Sequence, residues 1–252
     1  MEPKIGFGVD VGGSGIKAAA VDLSTGELVY ERKKLATPKP ATPDAVAATI
    51  AQLVAECGWT GKDIGVTLPS VIQNQVAHTA ANIDPTWVET DCAALFERHL
   101  PGRTVHVLND ADAAGLAEVK FGNPAARDGS VLMLTFGTGI GSALLSDGVL
   151  YPNSELGHLV IDGTEAEHFA SSRIRTVENL DFPEWAARVS HVLTVLEKLL
   201  WPRVIIVGGG ISREHEQWIP LLTNKTPVVP AQLRNTAGIV GAAFAAEQGL
   251  LP

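Results

Sequence analysis

Residues Asp10-Val11-Gly12-Gly13-Ser14-Gly15-Ile16-Lys17 follow directly on the apolar run from Ile5 to Val9, which has the composition of a buried β-strand. Three glycines within four positions let the backbone turn tightly and approach a ligand without side-chain interference. Successive N–H groups in such a turn form a cradle for anionic oxygen. Asp10 and Lys17 bracket the turn with the carboxylate and the cation that a metal–phosphate complex needs. The stretch therefore predicts a phosphate-binding loop between two strands.

Two other phosphate-binding motifs fit this stretch less well. The segment from Gly13 to Ala18 nearly matches the G-x-G-x-x-A fingerprint of dinucleotide-binding folds, which must open a helix. Only Lys17 to Leu23 separates the glycines from a turn at Ser24-Thr25-Gly26, and so short a span forms a strand more readily. The glycine-lysine dipeptide of a P-loop is missing. We expect a third strand from Glu27 to Lys33, and a purely structural hairpin turn remains the alternative for the loop.

The composition limits the kinds of partner that the protein can have. A chain of 252 residues can form one large domain or two smaller lobes. Its net charge of -9, with no basic cluster, argues against nucleic acid and means that a polyanionic substrate must meet a local positive patch. Cys57 and Cys92 form no C-x-x-C motif, which favours a reducing cytoplasm. Since no signal peptide and no membrane-length apolar run is evident, we expect a soluble cytoplasmic protein with no membrane partner.

The second half of the chain repeats the pattern of the first. Val131 to Phe136 is an apolar strand, the loop Gly137-Thr138-Gly139-Ile140-Gly141 follows, and Ser142 to Ser146 returns as a strand. A further glycine run, Gly208-Gly209-Gly210, comes after the apolar strand from Val204 to Val207. This alternation predicts an α/β protein of two similar lobes, whose phosphate-binding loops face each other across a cleft. The expected lobes are residues 1–110 and 111–235, with a C-terminal helix, about 236–252, packing back on the first.

Helices can be placed from their caps and apolar spacing. Thr42 as N-cap, with Pro43 at the first position, predicts a helix that ends at Gly58. A second helix is expected from Cys92 to His99. A long amphipathic helix places its apolar face on Trp185, Val189, Val192, Leu196 and Leu199.

Polar residues at strand ends are the candidates for chemistry. Asn109-Asp110 follows the apolar strand from Arg103 to Leu108, where open α/β sheets place their ligands. An aspartate there can accept the proton of an attacking hydroxyl, while the asparagine fixes that hydroxyl's direction. Glu155 and His158 offer an acceptor and a donor suited to adjacent sugar hydroxyls. The plainer alternatives are that Asp110 is a helix N-cap, that His158 is a core histidine and that Glu155 is a surface carboxylate.

Taken together, the motifs resemble those of the ROK sugar kinases, which have the actin/hexokinase fold. The resemblance rests on Asp10 to Lys17, Asn109 to Gly115, Thr135 to Gly141, Glu155-Leu156-Gly157-His158 and Val207 to Ser212, which occur in the family's order. It implies a two-lobed actin/hexokinase-like (ribonuclease H-like) α/β fold with duplicated β-β-β-α-β-α-β lobes around a cleft. A homodimer is expected.

The resemblance also implies roles for individual residues. Asp110 would be the catalytic base, and the sugar would be bound by Asn82, Asn109, Asp110, Glu155, His158 and Glu167. Donor phosphates would be bound by Asp10, Gly12, Gly13, Ser14, Gly15, Lys17, Thr135, Gly137, Thr138, Gly139, Gly209 and Gly210. Magnesium, or manganese, would be reached from Asp10 through water. The family's zinc-binding cysteines are missing and Asp162 to Ala166 stands in their place, so no zinc site is expected.

Several segments are similar to one branch of that family, the polyphosphate glucokinases. These segments are Thr79 to Asp84, Leu159 to Gly163 and Ala170 to Arg173. The branch phosphorylates glucose, sometimes mannose, at the 6-hydroxyl with polyphosphate, ATP or both. Candidate cations for a polyphosphate chain are Lys17, Lys120, Arg173 and Arg175. The sequence does not rank the two donors or the two sugars.

Other functions on the same fold remain as alternatives: a strictly ATP-dependent hexokinase, a sugar-sensing regulator, or a polyphosphate or nucleotide phosphatase. A regulator of this family needs an N-terminal DNA-binding module, and we expect none because the first motif begins at Asp10. A phosphatase would not need the Asn109-Asp110 pair or the grouping of Glu155 with His158.

Overall fold

Two β-sheets, one in each half of the chain, organise the apolar residues. A computed structural model describes residues 4–81 and 83–250. The strands are β1 (Ile5–Gly12), β2 (Gly15–Asp22), β3 (Glu27–Leu28), β4 (Lys33–Leu35), β5 (Asp63–Leu68), β6 (Ile72–Gln73), β7 (Val76–Ala77), β8 (Thr90–Asp91), β9 (Thr104–Asn109), β10 (Ser130–Phe136), β11 (Ile140–Ser146), β12 (Val149–Tyr151), β13 (Val160–Ile161), β14 (Thr164–Glu165), β15 (Val204–Gly208) and β16 (Val228–Pro230). The α-helices are α1 (Pro43–Glu56), α2 (Cys92–His99), α3 (Asp110–Phe121), α4 (Ala166–Ala170), α5 (Ser172–Val177), α6 (Phe182–Leu200), α7 (His215–Trp218) and α8 (Ala237–Gln248).

The first unit consists, within the described residues, of 4–81, 83–121 and 236–250. Its main sheet has the order β3-β2-β1-β5-β9, and β4 also pairs with β2. β1 is antiparallel to β2, whereas β1, β5 and β9 run parallel. The three parallel strands therefore end at one edge of the sheet.

Thr42 caps α1, as its sequence predicts, by accepting a hydrogen bond from the Ala45 N–H.

The glycine-rich stretch forms a tight hairpin between β1 and β2. Gly12 pairs with Gly15, so the loop itself is only Gly13-Ser14. The expected single third strand from Glu27 to Lys33 is wrong, because it divides into β3 and β4. Val21 pairs with Leu28 and Ala18 with Lys33, so residues 29–32 must span the shorter stretch 19–20 of β2. The chain bulges there instead of continuing the sheet.

The last helix packs on the first sheet at unusually short distance. A Cβ on Gly8 would lie 1.9 Å from the Ile239 carbonyl oxygen, and one on Gly65 would lie 1.9 Å from that of Ala242. A Cβ on Gly241 would in turn lie 1.8 Å from the Ala113 carbonyl oxygen of α3. Helix α8 also packs against α3, and both helices belong to the first unit, whose first stretch ends at residue 121.

The second unit, residues 122–235, repeats the sheet of the first. Its order is β12-β11-β10-β15-β16, with β10 antiparallel to β11 and parallel to β15. This duplication confirms the predicted fold class. Helix α6 begins with a capping box between Asp181 and Glu184 and buries Trp185, Val189, Val192, Leu193 and Leu196. The prediction that Leu199 lies on the buried face of α6 is wrong, because this residue is 61% exposed. Among the described residues no helix combines the length and apolar character needed to span a bilayer.

The close approach of α8 predicts that Gly65 cannot be replaced without cost. Gly65→Ala should lower the free energy of unfolding by about 3 kcal/mol, because the new methyl group would push α8 from the sheet. Gly102→Ala is the control: Gly102 has φ +75° but open space around it, so only backbone strain of about 1 kcal/mol is expected. Urea denaturation of both variants measures the difference. Equal losses in the two variants would contradict tight packing at Gly65.

Candidate functional site

In the first unit, polar side chains gather where the parallel strands end. Asp10 on β1 is paired in register with Thr67 on β5, and Leu68 with Asn109 on β9. The Thr67 hydroxyl donates to Asp10 Oδ1 at 3.2 Å, and Lys17 Nζ lies 2.8 Å from Asp10 Oδ2. The Asp10 carboxylate also adjoins the first turn of α8 at Gly238, where a helix N-terminus favours negative charge. Asp10 and Lys17 thus form an ion pair, with side chains 20% and 25% exposed.

Asn109 and Asp110 have separate positions at the junction of β9 and α3. The Asn109 side-chain oxygen accepts hydrogen bonds from the N–H groups of Ala111 and Asp112, at 2.8 and 3.2 Å, so Asn109 caps the helix. Its amide nitrogen donates to the Ser70 carbonyl at 3.2 Å. Asp110 is the first residue of α3 and is partly exposed. Asn109 therefore supplies the main cap that the plainer alternative gave to Asp110, although Asp110 Oδ1 also lies 2.8 Å from the Ala111 nitrogen.

The hairpin loop of the first unit presents its backbone to solvent. Gly13 and Ser14 are exposed, whereas Gly15 is buried. The Thr37 hydroxyl donates to the Gly12 carbonyl, which fixes the base of the loop. A Cβ on Gly15 would lie 2.3 Å from the Lys34 side chain. The loop is therefore a firmly held turn whose tip is open to a ligand.

The second unit brings two glycine loops together at the ends of β10 and β15. Thr135 and Gly208 are paired in register, so the loops that follow them start side by side. Gly137 N–H donates to the Gly139 carbonyl at 3.0 Å, while Gly137 and Thr138 remain exposed. Gly209 has φ +84°, and a Cβ there would lie 2.3 Å from the Phe136 carbonyl oxygen. Only glycine fits at that position, and Gly210 beyond it is exposed.

Glu167 packs directly on the first of these loops. Its Oε2 accepts a hydrogen bond from the Ile140 N–H at 3.2 Å, and a Cβ on Gly139 would lie 2.1 Å from the same oxygen. The absence of a side chain at Gly139 therefore lets this carboxylate reach the backbone of the loop. A predicted donor-binding glycine and a predicted sugar-binding glutamate are in contact.

Glu155 and His158 lie in one charged cluster beside this loop. His158 Nδ1 lies 3.0 Å from Glu165 Oε2, and its Nε2 lies 3.8 Å from Glu155 Oε2. The hydrogen bond with Glu165 raises the pKa of His158, and burial raises the pKa of Glu155. His158 is not a core histidine, since its side chain is 47% exposed. The cluster has the oxygen and nitrogen groups that bind hydroxyls.

The comparisons with known proteins agree with this arrangement of motifs. Residues 6–173 match the model of the ROK family. The chain belongs to the ROK family. It is 53% identical over 240 residues to a polyphosphate glucokinase of Mycobacterium tuberculosis, which covers 95% of this chain and 90% of that protein.

Solved structures of ROK proteins have the same fold. An inorganic polyphosphate/ATP-glucomannokinase from Arthrobacter sp. strain KM matches with a TM-score of 0.92 and 48% identity, over 98% of this chain and 99% of that one. A ROK family glucokinase from Streptomyces griseus, in complex with glucose and AMPPNP, matches with a TM-score of 0.82 and 26% identity, over 98% and 100%. The actin/hexokinase-like fold expected from the ROK motifs is confirmed.

Two neighbours of the ROK motifs were missed by the sequence analysis. Thr67 contacts Asp10, and Glu165 contacts His158, but neither lies in a recognised motif. Thr67 lies near the end of β5, a position at which open α/β sheets place their ligands. Glu165 gave no such signal. The predicted sugar contact Asn82 lies outside the described residues.

The missing cysteines predict that this ROK protein is purified without zinc. The ligand atoms of His158, Glu165 and Glu167 lie within 4.8 Å of one another, so a metal could reach them. We expect the carboxylates to be satisfied by His158 and by the Ile140 N–H instead. Elemental analysis of purified protein should find far less than one zinc per chain. A stoichiometric zinc content would show that the cluster is a metal site.

Proposed function

We propose that this ROK protein transfers a phosphoryl group from inorganic polyphosphate or ATP to the 6-hydroxyl of glucose, and that mannose is a second substrate. The observation that carries the proposal is the 53% identity to a polyphosphate glucokinase over 95% of the chain. The placement of Asn109 and Asp110 at the end of β9 supports it from the structure, since a carboxylate at this position could accept the proton of a sugar hydroxyl. The likeness to a polyphosphate/ATP-glucomannokinase supports both donors and both sugars.

Asp110 is the residue that we assign as general base. As the sugar oxygen bonds to the terminal phosphorus, the donor's phosphoanhydride bond breaks and the hydroxyl proton passes to Asp110. Asn109 cannot take this role, because a neutral amide is far too weak a base to accept the proton, and its side-chain oxygen caps α3. Its capping bonds instead hold the start of the helix, and with it Asp110, in place. Positioning of this kind accounts for much of the catalysis in phosphoryl transfer.

The glycine loops supply hydrogen-bond donors for the donor phosphates. The exposed backbone of Gly13, Ser14 and Thr138 carries N–H groups that can point at phosphate oxygen. Gly12, Gly15 and Gly139 shape the turns, and the Gly137 N–H closes its loop onto the Gly139 carbonyl. Fixed N–H groups stabilise charge that develops on the transferred group without reorganising. In the second unit, Thr135 lies just before the loop that follows β10, and Gly209 and Gly210 begin the loop that follows β15. We infer that these two loops bind the outer part of the donor.

Asp10 is the residue that we assign to magnesium. Its carboxylate is a hard oxygen ligand of the type that magnesium prefers. Because Lys17 and Thr67 already contact both carboxylate oxygens, contact through water fits better than direct coordination. When bound, the ion would neutralise charge on the donor phosphates. Lys17 would hold Asp10 in place and add positive charge near the loop.

Glu155, His158 and Glu167 are assigned to the sugar. They lie in one cluster in the second unit, and Glu167 is anchored on the loop at Ile140. A carboxylate whose pKa burial has raised, as in Glu155, favours a partner that can donate hydrogen bonds, and sugar hydroxyls do so. Asn82, Asn109 and Asp110 are assigned to the same substrate from the family motifs.

We also infer that the protein is a cytoplasmic homodimer.

Arg173 is the best candidate for binding a polyphosphate chain. It is exposed, and its backbone N–H donates to the Gly137 carbonyl at 3.0 Å, which places it at the glycine loop. Arg175 and Lys120 differ, because their charged groups lie over the rings of Phe182 and Phe244, at 3.9 and 5.9 Å. Stacked cations of this kind stabilise the fold. A chain with net charge -9 must rely on such local positive groups to hold a polyanion.

Replacing the general base should abolish turnover without unfolding the protein. Asp110→Asn should lower kcat for glucose phosphorylation at least ~10²-fold with either donor, because the amide cannot accept the hydroxyl proton. Asp91→Asn is the matched control, since Asp91 caps α2 and asparagine caps equally well. A coupled assay for glucose 6-phosphate, with circular dichroism to confirm folding, measures the effect. Normal turnover by folded Asp110→Asn would remove Asp110 from the mechanism.

Replacing Arg173 should separate the two donors. Arg173→Ala should raise KM for polyphosphate about tenfold and KM for ATP much less, because only polyphosphate lacks a base and ribose to bind. The loss should shrink as salt is added, since charge contacts are screened. Arg175→Ala is the control, and it should lower stability without changing the ratio of the two KM values. Equal changes for both donors in Arg173→Ala would exclude Arg173 as a polyphosphate contact.

The glucose 6-phosphate assay, together with measurements of glucose binding and phosphate release, decides between the alternative functions. A strictly ATP-dependent hexokinase would form no sugar phosphate from polyphosphate of any chain length. A regulator would bind glucose without turnover. Release of inorganic phosphate in the absence of sugar would indicate a phosphatase.

A further inference from the structure

Glu165 holds the His158 ring from the side opposite Glu155. The contact joins His158 Nδ1 to Glu165 Oε2 at 3.0 Å, whereas Glu155 Oε2 lies 3.8 Å from the other nitrogen, Nε2. A neutral imidazole carries one proton, and a carboxylate can only accept. The nitrogen next to Glu165 must therefore carry that proton whenever this hydrogen bond is made.

The chain holds Glu165 on a short and well-defined element. β13 and β14 form a hairpin in which Ile161 pairs with Thr164. Its turn is Asp162-Gly163, and both residues have positive φ, 51° and 84°, as a two-residue hairpin turn requires. The Ala166 N–H donates to the Leu159 carbonyl at 2.9 Å, so the end of the hairpin is tied to the residue after His158. Glu165 is thus placed by backbone structure rather than by a loose loop.

The electrostatics of the pair agree with its geometry. The hydrogen bond from Glu165 is the largest cause raising the pKa of His158, and the same bond lowers the pKa of Glu165. The other charged groups that face His158 are Glu155 and Glu167, and both also favour its protonated form. His168 lies 3.7 Å from Glu165 Oε2 and competes for that carboxylate.

We propose that Glu165 is a positioning residue for the sugar site: its carboxylate holds the Nδ1–H of His158 and leaves Nε2 for a sugar hydroxyl. This inference rests on the proposed function in that His158 contacts the sugar. A ring fixed in one tautomer offers a defined partner to the hydroxyl, whereas a free ring would present either nitrogen. Glu165 acts through His158 and need not contact the sugar itself.

The tautomer of His158 can be measured without sugar or donor. In protein labelled with ¹⁵N-histidine, nitrogen chemical shifts should show neutral His158 protonated at Nδ1. Glu165→Ala should lower the pKa of His158 and return its neutral ring to the Nε2–H form that predominates in water. Glu165→Gln should keep the Nδ1–H form, because the amide oxygen still accepts, but should also lower the pKa, because the charge is gone.

Asp162→Asn is the matched control. Asp162 Oδ2 lies 2.8 Å from His191 Nε2, so this variant removes the carboxylate charge from a histidine contact in the same hairpin. Asparagine also tolerates the positive φ at this position. His158 signals should be unchanged in Asp162→Asn. A shift there as large as in Glu165→Ala would mean that the hairpin as a whole, and not Glu165, sets the tautomer.

Kinetics test whether the held ring serves the sugar. Glu165→Ala should raise KM for glucose about tenfold and leave KM for the donor unchanged, as expected when one oriented hydrogen bond is weakened. In Glu165→Gln, KM for glucose should stay close to the wild-type value. A wild-type neutral ring protonated at Nε2, or His158 signals that change on adding a chelator, would overturn the positioning by Glu165. If His158→Ala left KM for glucose unchanged while the tautomer was as expected, the sugar contact would fail and the Glu165–His158 bond would be structural only.

Discussion

The register of the parallel strands determines which side chains can meet at the end of each sheet. Asp10 is opposite Thr67, and Leu68 is opposite Asn109, so three strands deliver polar groups to the same edge. Side chains alternate between the faces of a strand, and a slip of one residue would reverse which of them are covered. The second unit obeys the same constraint, because pairing of Thr135 with Gly208 starts its two glycine loops side by side. The proposed phosphoryl transfer depends on this register of the strands more than on any single contact between side chains.

The sequence predicted well those features that depend on local pattern. Strand ends, helix caps and glycine loops are local, so the boundaries of α1 and α2 and the hairpin at Gly13-Ser14 could be inferred. The errors arose where distant parts of the chain decide the outcome. The bulge after β3 comes from pairing with β2, and Leu199 is exposed in the last turn of α6 although its spacing continues the apolar face. No local pattern records either fact.

The candidate site shows the same division. Candidates in glycine-rich or strand-end motifs, such as Asp10 and Asp110, and the grouping of Glu155 with His158 could be proposed from one sequence, and the family resemblance added Glu167. The contact of Glu165 with His158 could not be foreseen, because a glutamate in a polar hairpin has the composition of an ordinary surface turn. Nor did the sequence show that Arg175 stacks on Phe182 and that Arg173 differs from it. Those distinctions depend on tertiary contacts, which the local sequence pattern does not show.

The close packing of α8 also constrains how the chain can be completed during synthesis. Residues 122–235 are continuous, and all of them have been made before α8 exists. The first sheet is completed later, because Gly8 and Gly65 lie against the backbone of Ile239 and Ala242 in α8. On the ribosome, the unit encoded in the middle can therefore mature before the unit that begins the chain. Until α8 emerges, the strands that carry Gly8 and Gly65 lack the helix that packs on them in the folded protein.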